Sequence, residues 1–187
     1  MNVLKPALIG LAFAIGGCGG TPDLYSVTPP AVDESVRIGF GAVEVRDVSL
    51  PTYAAADEIA VRDETGKLVT DAGTLWADSP ERAVALELAG HLARLSGARV
   101  ASEPWPFEAF PDARLDVRFE NLLAGGDGQL RATGQYFVGV PEGRRERSGL
   151  FDLSVSFDPD GGPQAIAQAR GQIILDLAKF IARNGLR

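Results

Sequence analysis

The hydrophobic rhythm of this chain changes several times along its length. Behind Lys5, Ala7 to Ile15 is a short apolar run without charge. It falls short of the roughly 20 residues that a membrane-spanning helix needs, and its basic start and small-residue end are those of a secretory leader. Leu24-Tyr25-Ser26-Val27 then predicts a short strand, broken by Thr28-Pro29-Pro30. Val36, Ile38 and Phe40 alternate with Arg37 and Gly39, and Val43 and Val45 resume the alternation out of phase. A slip of that kind predicts one bulged strand. Leu50-Pro51-Thr52-Tyr53 reads as a turn with exposed apolar groups. Glu58 to Arg62 and Lys67 to Trp76 read as a hairpin closed by Asp63-Glu64-Thr65-Gly66.

The period then lengthens to that of a helix. Asp78-Ser79-Pro80-Glu81 carries start signals: Ser79 as cap, Pro80 at the first helical position and Glu81 against the helix dipole. Val84, Leu88, Leu92 and Leu95 fall on one face, and Gly97 ends the helix. Arg99 to Ser102 is a short strand candidate. Pro104-Trp105-Pro106-Phe107 and Phe110-Pro111 form an aromatic, proline-rich loop.

Three strands with tight turns follow. Leu115, Val117 and Phe119 alternate with charged residues, Gly125-Gly126-Asp127-Gly128 turns the chain, and Leu130 to Val140 continues with Tyr136, Val138 and Val140 on one face. Pro141-Glu142-Gly143 turns it again into Phe151, Leu153, Val155 and Phe157, with Asp152, Ser154 and Ser156 on the wet face. From Gly162-Pro163 to Asn184-Gly185 the stripe Ile166, Ala169, Ile173, Leu177, Phe180 predicts a closing helix. Strands, helix, strands, helix is the order of an α+β two-layer sandwich: a largely antiparallel sheet with two amphipathic helices on one face.

The leader ends in Ile15-Gly16-Gly17-Cys18, a branched aliphatic residue, two small residues and Cys. That is the lipobox pattern of bacterial lipoproteins. The small residues let the backbone lie extended in a protease cleft, and the thiol is the only side chain there that takes a thioether-linked diacylglycerol. The expected organisation is a signal peptide over 1–17, a lipidated tether over 18–23, and one domain over 24–187. Cys18 is the only cysteine, which excludes an internal disulfide framework. Cleavage removes 17 of 187 residues and leaves 170, enough for one sizeable core. Lys5 leaves with the leader, so 17 basic residues face 25 acidic ones, a net of −8. An acidic body argues against nucleic acid and against adsorption on anionic lipid, so the membrane link falls to the acyl chains on Cys18. Gly19 follows Cys18 where an Asp would favour inner-membrane retention in enterobacterial sorting, which predicts the outer membrane, on its periplasmic face.

Candidate chemistry is sparse. His91 is the only histidine, on the flank of the first helical stripe. A zinc site of paired His, or of Cys with His, cannot be assembled from it. There is no G-x-S-x-G elbow, no H-E-x-x-H and no phosphate loop. Asp57-Glu58, Asp63-Glu64 and Asp158 with Asp160 are the closest carboxylate pairs, and all sit in or beside turns, where acidic residues solvate the chain. No enzyme, metal or cofactor is expected. Aromatic groups on proline-bounded loops stand out instead as contact anchors: Leu50, Pro51 and Tyr53 in one segment, Trp105 and Phe107 in another.

The ordered set of these features resembles the ABC-type transport auxiliary lipoproteins, the family of the outer-membrane lipoprotein of the paraquat-inducible system. The features are the lipobox at Cys18, Leu24-Tyr25, Leu50-Pro51-x-Tyr53, Asp57-Glu58-Ile59-Ala60-Val61-Arg62, Trp76-Ala77-Asp78-Ser79-Pro80 and a closing amphipathic helix. Ala54-Ala55-Ala56 departs from the bulkier, more polar residues of the family pattern. The resemblance implies an outer-membrane, periplasm-facing part of a lipid transport system. Its partner would be a periplasmic protein with mammalian-cell-entry (MCE) domains, docked to a ring of identical subunits. Another reading, an activator or scaffold of cell-wall assembly, calls for a long disordered tether, and Gly19 to Asp23 is short.

The lipobox makes a direct prediction. Cells fed radiolabelled palmitate label the wild-type chain and leave a Cys18→Ala chain unlabelled and released from membranes. A Cys18→Ala chain that stays labelled and membrane-bound refutes the anchor.

Overall fold

The computed structural model describes residues 21–141, 143 and 145–187. The leader, Cys18 with its flanking glycines, and Glu142 and Arg144 of one predicted turn lie outside the described residues. The elements run in the order β1 (Asp23–Tyr25), β2 (Ala42–Val45), α1 (Thr52–Ala55), β3 (Val61–Arg62), β4 (Leu68–Val69), β5 (Thr74–Trp76), α2 (Pro80–Ser96), β6 (Arg99–Ser102), β7 (Ala113–Gly125), β8 (Gln129–Gly139), β9 (Arg147–Ser156) and α3 (Gly162–Asn184). This is the α+β two-layer arrangement expected.

Strand β7 is the spine of the sheet. One of its edges pairs antiparallel with β8 along its whole length, and β8 pairs antiparallel with β9. The other edge is shared. β2 lies parallel to the first half, with Val43 opposite Ala113, and β3 lies parallel to the second, with Val61 opposite Ala124. The sheet is therefore mixed: its long ladders are antiparallel, while β2, β3 and β6 join in parallel. A bulge in β7 between Phe119 and Asn121 divides the halves. Before it Ala113, Leu115, Val117 and Phe119 face the core; after it Leu122 and Ala124 do. One inserted residue keeps both halves facing the helices despite the strict two-residue alternation of a strand. Gly134 of β8 meets the bulge, where a Cβ would lie 2.1 Å from the Arg118 carbonyl oxygen.

Helices α2 and α3 pack against each other and against the apolar face. Val84, Leu88, Leu92 and Leu95 of α2 and Ile173, Leu177 and Ile181 of α3 are fully buried there. The opposite face is polar, with Arg114, Asp116, Arg118 and Glu120 of β7 in the wet positions. Gly97 closes α2 in the left-handed conformation, φ 68°, its N–H donating to the Ala93 carbonyl. Pro80 holds the first helical position as expected, but Ser79 makes no side-chain capping bond. Asp78 steadies the entry to the helix: its carboxylate accepts the N–H of Ser79 at 2.9 Å and pairs with Arg82 of the first turn.

Three sequence expectations are narrowed. The predicted bulged strand shrinks to Ala42–Val45, because the preceding segment bonds to helix ends: Val36 N–H donates to the Leu95 carbonyl and Gly39 N–H to that of Leu186. The predicted hairpin forms as two short pairings, β3 with β4 and an antiparallel bridge of Glu58 with Leu75, and the far edge of β5 pairs in parallel with β1. Leu50 is buried in the core and residues 52–55 form a turn of helix, so that segment is not an exposed turn.

The α2–α3 interface encloses an ion pair. Arg170 lies in the apolar stripe of α3, one turn after Ile166, and its Nη2 donates to Glu87 Oε1 at 3.0 Å. Its guanidinium stacks 4.7 Å from the Trp76 ring centre. Burial pushes the Glu87 carboxyl above the usual range, with the attraction of Arg170 pulling against it, and lowers the guanidinium of Arg170 against the pull of Glu87. Removing one member leaves an uncompensated buried charge. Arg170→Met should therefore destabilise the domain by about 3–5 kcal/mol, and a second change, Glu87→Leu, should recover most of the loss. Urea unfolding of the single and double variants checks this.

Candidate functional site

The sequence-predicted contact residues separate into two groups. The first is built into the body. Leu50 sits in the core. The carbonyl of Pro51 accepts the N–H groups of Ala54 and Ala55 at 2.8 and 2.9 Å, which starts α1. Tyr53 is half-buried on that helix, and its hydroxyl donates to Asn121 Oδ1 at 2.8 Å, beside the bulge of β7. This segment braces the spine of the sheet.

The second group is the loop after β6, at the other end of the sheet order. Trp105 is half-buried; its indole N–H donates to the Ala109 carbonyl at 2.7 Å, so the loop closes on itself. The ring of Phe107 meets that of Trp105 edge-on, 4.9 Å between centres. The Arg99 guanidinium of β6 lies 5.2 Å from the Phe107 ring. Phe107 is 43% exposed and Phe110 83% exposed. The sequence by itself places Phe110 only within the proline-rich loop. The proline after it was the available signal, since Pro111 is buried and pins the base of the loop while Phe110 projects. The result is an apolar surface stiffened by hydrogen bond, ring stacking and proline, which loses little conformational entropy on contact.

Trp76 and Arg170 line two further hollows, and Glu87 lines the second. One, of about 30 Å³, lies between Tyr53, Trp76, Leu130, Ile166 and Arg170. The other, of about 250 Å³, opens between Tyr25, Trp76, Asp78, Glu87 and Arg170. Both fall below the roughly 300–1,000 Å³ of ordinary ligand sites. Arg170 and Glu87 already face each other, so this node joins helices and offers a ligand no free charge.

The acidic clusters serve turns. Asp63 accepts from the Thr65 hydroxyl and from the N–H groups of Thr65 and Lys67, and these bonds hold its carboxyl below the usual range. Asp158 accepts the Asp160 N–H at 3.0 Å. Among the described residues no group of three His, Cys, Asp or Glu side chains is placed to hold a metal ion, and no helix is long and apolar enough to cross a membrane.

A model of the ABC-type transport auxiliary lipoprotein components matches residues 25–182, nearly the whole described domain. The chain belongs to this family. Two solved structures share the fold of this auxiliary lipoprotein. A crystal structure of an uncharacterised protein is 18% identical, with a TM-score of 0.71 over 88% of this chain and 98% of that one. Protein XCC0632 from Xanthomonas campestris, of the DUF330 family, is 16% identical, with a TM-score of 0.63 over 86% and 95%. A point variant of the PelC dodecamer from Paraburkholderia phytofirmans lies further off, at 10% identity and a TM-score of 0.47 over 83% and 95%. No curated protein matches the sequence.

The single histidine of the auxiliary lipoprotein, His91, is wholly buried on α2. Its Nδ1 lies 3.4 Å from Arg94 Nη2 and its Nε2 has no partner. Burial first, then the charges of Arg94 and Lys179, push its pKa down from 6.5 to about 4. The folded state thus favours neutral His91, while the unfolded chain takes up a proton below about pH 6.5. The stability held above that pH should fall as pH drops from about 6.5 towards 4, by an amount on the order of 3 kcal/mol. Glu87, raised in the folded state, acts with the opposite sign. The difference between wild type and His91→Leu in unfolding free energy against pH isolates the histidine. The wild type should lose more stability on acidification.

Proposed function

We propose that this protein is held at the periplasmic face of the outer membrane by acyl chains on Cys18 and works without catalysis. Its task is to dock the periplasmic MCE-domain protein of an ABC-type lipid transporter. The observation that carries this reading is the stiffened loop from Trp105 to Phe110, with two exposed aromatic rings on the body of a transport auxiliary lipoprotein. Two aromatic anchors beside a cation form a contact centre of the kind that dominates protein interfaces. Of the residues picked from the sequence, Trp105 and Phe107 are the proposed partner contacts, while Leu50, Pro51 and Tyr53 brace the body of the domain at β7. A ring of identical subunits needs a head-to-tail contact between unlike surfaces, and the strand order leaves two different edges for it, β6 or β4 on one side and β9 on the other.

A photo-reactive residue in place of Phe110, irradiated in cells, should yield an adduct containing an MCE-domain protein. Phe107→Ala should weaken that capture about 30-fold, the loss of a 2 kcal/mol anchor. Native mass spectrometry of the same preparation counts the subunits. Capture of a cell-wall synthase instead, or of no transporter component, rejects the docking role.

A further inference from the structure

A second surface lies at the end of the domain where the chain emerges from its tether. Between the β3–β4 hairpin, the β7–β8 turn and the start of α3 runs an open groove of about 450 Å³. That is the size of an ordinary small-molecule site, roughly 300–1,000 Å³. Its floor is Ile59 and Ile166, both buried, and its walls include Val61, Val69, Phe157 and Pro163. No cation lines it. Its one carboxylate, Asp71, accepts the Gly73 N–H at 3.0 Å and the Thr74 hydroxyl at 2.8 Å, and those bonds hold it ionised at the rim. The polar cleft that adjoins it across Gly125 and Gly126 sets Arg62 and Arg131 against Asp63, Glu64 and Asp127, so it selects no anion. The groove is fit for hydrocarbon, without a built headgroup site.

Its position narrows the occupant. Thr74 of the groove wall is in register with Asp23, whose N–H donates to the Gly73 carbonyl at 2.8 Å. Asp23 stands five chain steps beyond Cys18, a reach of at most about 17 Å. Leu24, next to Asp23, is 63% exposed, and Leu68 and Val69 of β4 are exposed as well. An apolar groove with an apolar rim, held within one short tether of an acylated cysteine, opens at the bilayer surface. The hydrocarbon available there is the lipid acyl chain.

We propose that this groove takes one acyl chain of a membrane phospholipid. The inference rests on the reading of Cys18 as the anchor, and it adds a direct lipid contact to a protein otherwise read as a docking component.

The test is photo-crosslinking in the full-length chain in membranes, with p-benzoylphenylalanine at Val69 and, as a control, at exposed Leu150 on β9. Proteolysis and mass spectrometry then read each adduct. One intact phospholipid on the Val69 peptide is expected, with about tenfold less at Leu150. Thr70→Trp, an exposed change that fills the groove, should lower the Val69 adduct about tenfold while the circular dichroism spectrum stays unchanged. Equal lipid labelling at both positions, a crosslink to the chain's own Cys18 acyl group, or a protein adduct alone overturns the proposal. The N-terminal peptide in the same digest reports Cys18. An acylated Cys18 without the lipid adduct overturns the groove alone; an unacylated Cys18 without it overturns groove and anchor together.

Discussion

The bulge between Phe119 and Asn121 inserts one residue into β7, and that residue keeps the apolar side chains of a thirteen-residue strand facing the helices throughout. Without it, the alternation would run on unbroken past Glu120, and Leu122 and Ala124 would meet water while Asn121 turned towards the helices. The bulge also divides the second edge of β7 between two partners, so β2 and β3 attach to one spine. Tyr53 braces this point through Asn121, and Gly134 leaves the room it needs. The loop after β6 and the groove beside β3 take their places from that division, one at each end.

The two surfaces differ in physical character. The loop from Trp105 to Phe110 projects, and its rings are fixed by a hydrogen bond, an edge-on stack and a buried proline. Such a convex, stiff surface suits a protein partner. The groove is concave and apolar, with its one carboxylate already satisfied. It suits a flexible hydrocarbon. Between them lies a body whose buried charges, Arg170 and Glu87, are turned on each other, and whose histidine is held neutral by burial. These buried groups are committed to packing.

The long elements were legible because each follows one period for many residues. α2 and α3 have stripes of 3.6-residue spacing bounded by Pro and Gly, and β7 to β9 alternate between turns marked by glycine. Short segments were less legible, because a run of four or five apolar residues does not name its partner. Val36 to Phe40 alternates like a strand, yet its backbone groups bond to the ends of two helices. Leu50 and Tyr53 flank a proline that reads as an exposed turn, yet Leu50 is buried and Tyr53 half-buried because α1 folds back on β7. Arg170 interrupts an apolar stripe in plain view, but its meaning depends on Glu87, 83 residues away on the other helix.

The amino-acid sequence by itself determined the α+β class, the one-sided sheet, the helix boundaries, the acidic charge and the family. Each depends on local periodicity, local capping or composition, which the chain carries in contiguous residues. Only the tertiary structure decided that β2 and β3 share one edge of β7, that Arg170 meets Glu87 beneath Trp76, that Phe110 projects, and that an apolar groove opens close to β1. Those outcomes depend on which distant segments pack together. Burial is a property of the assembled layers, so no single segment encodes it.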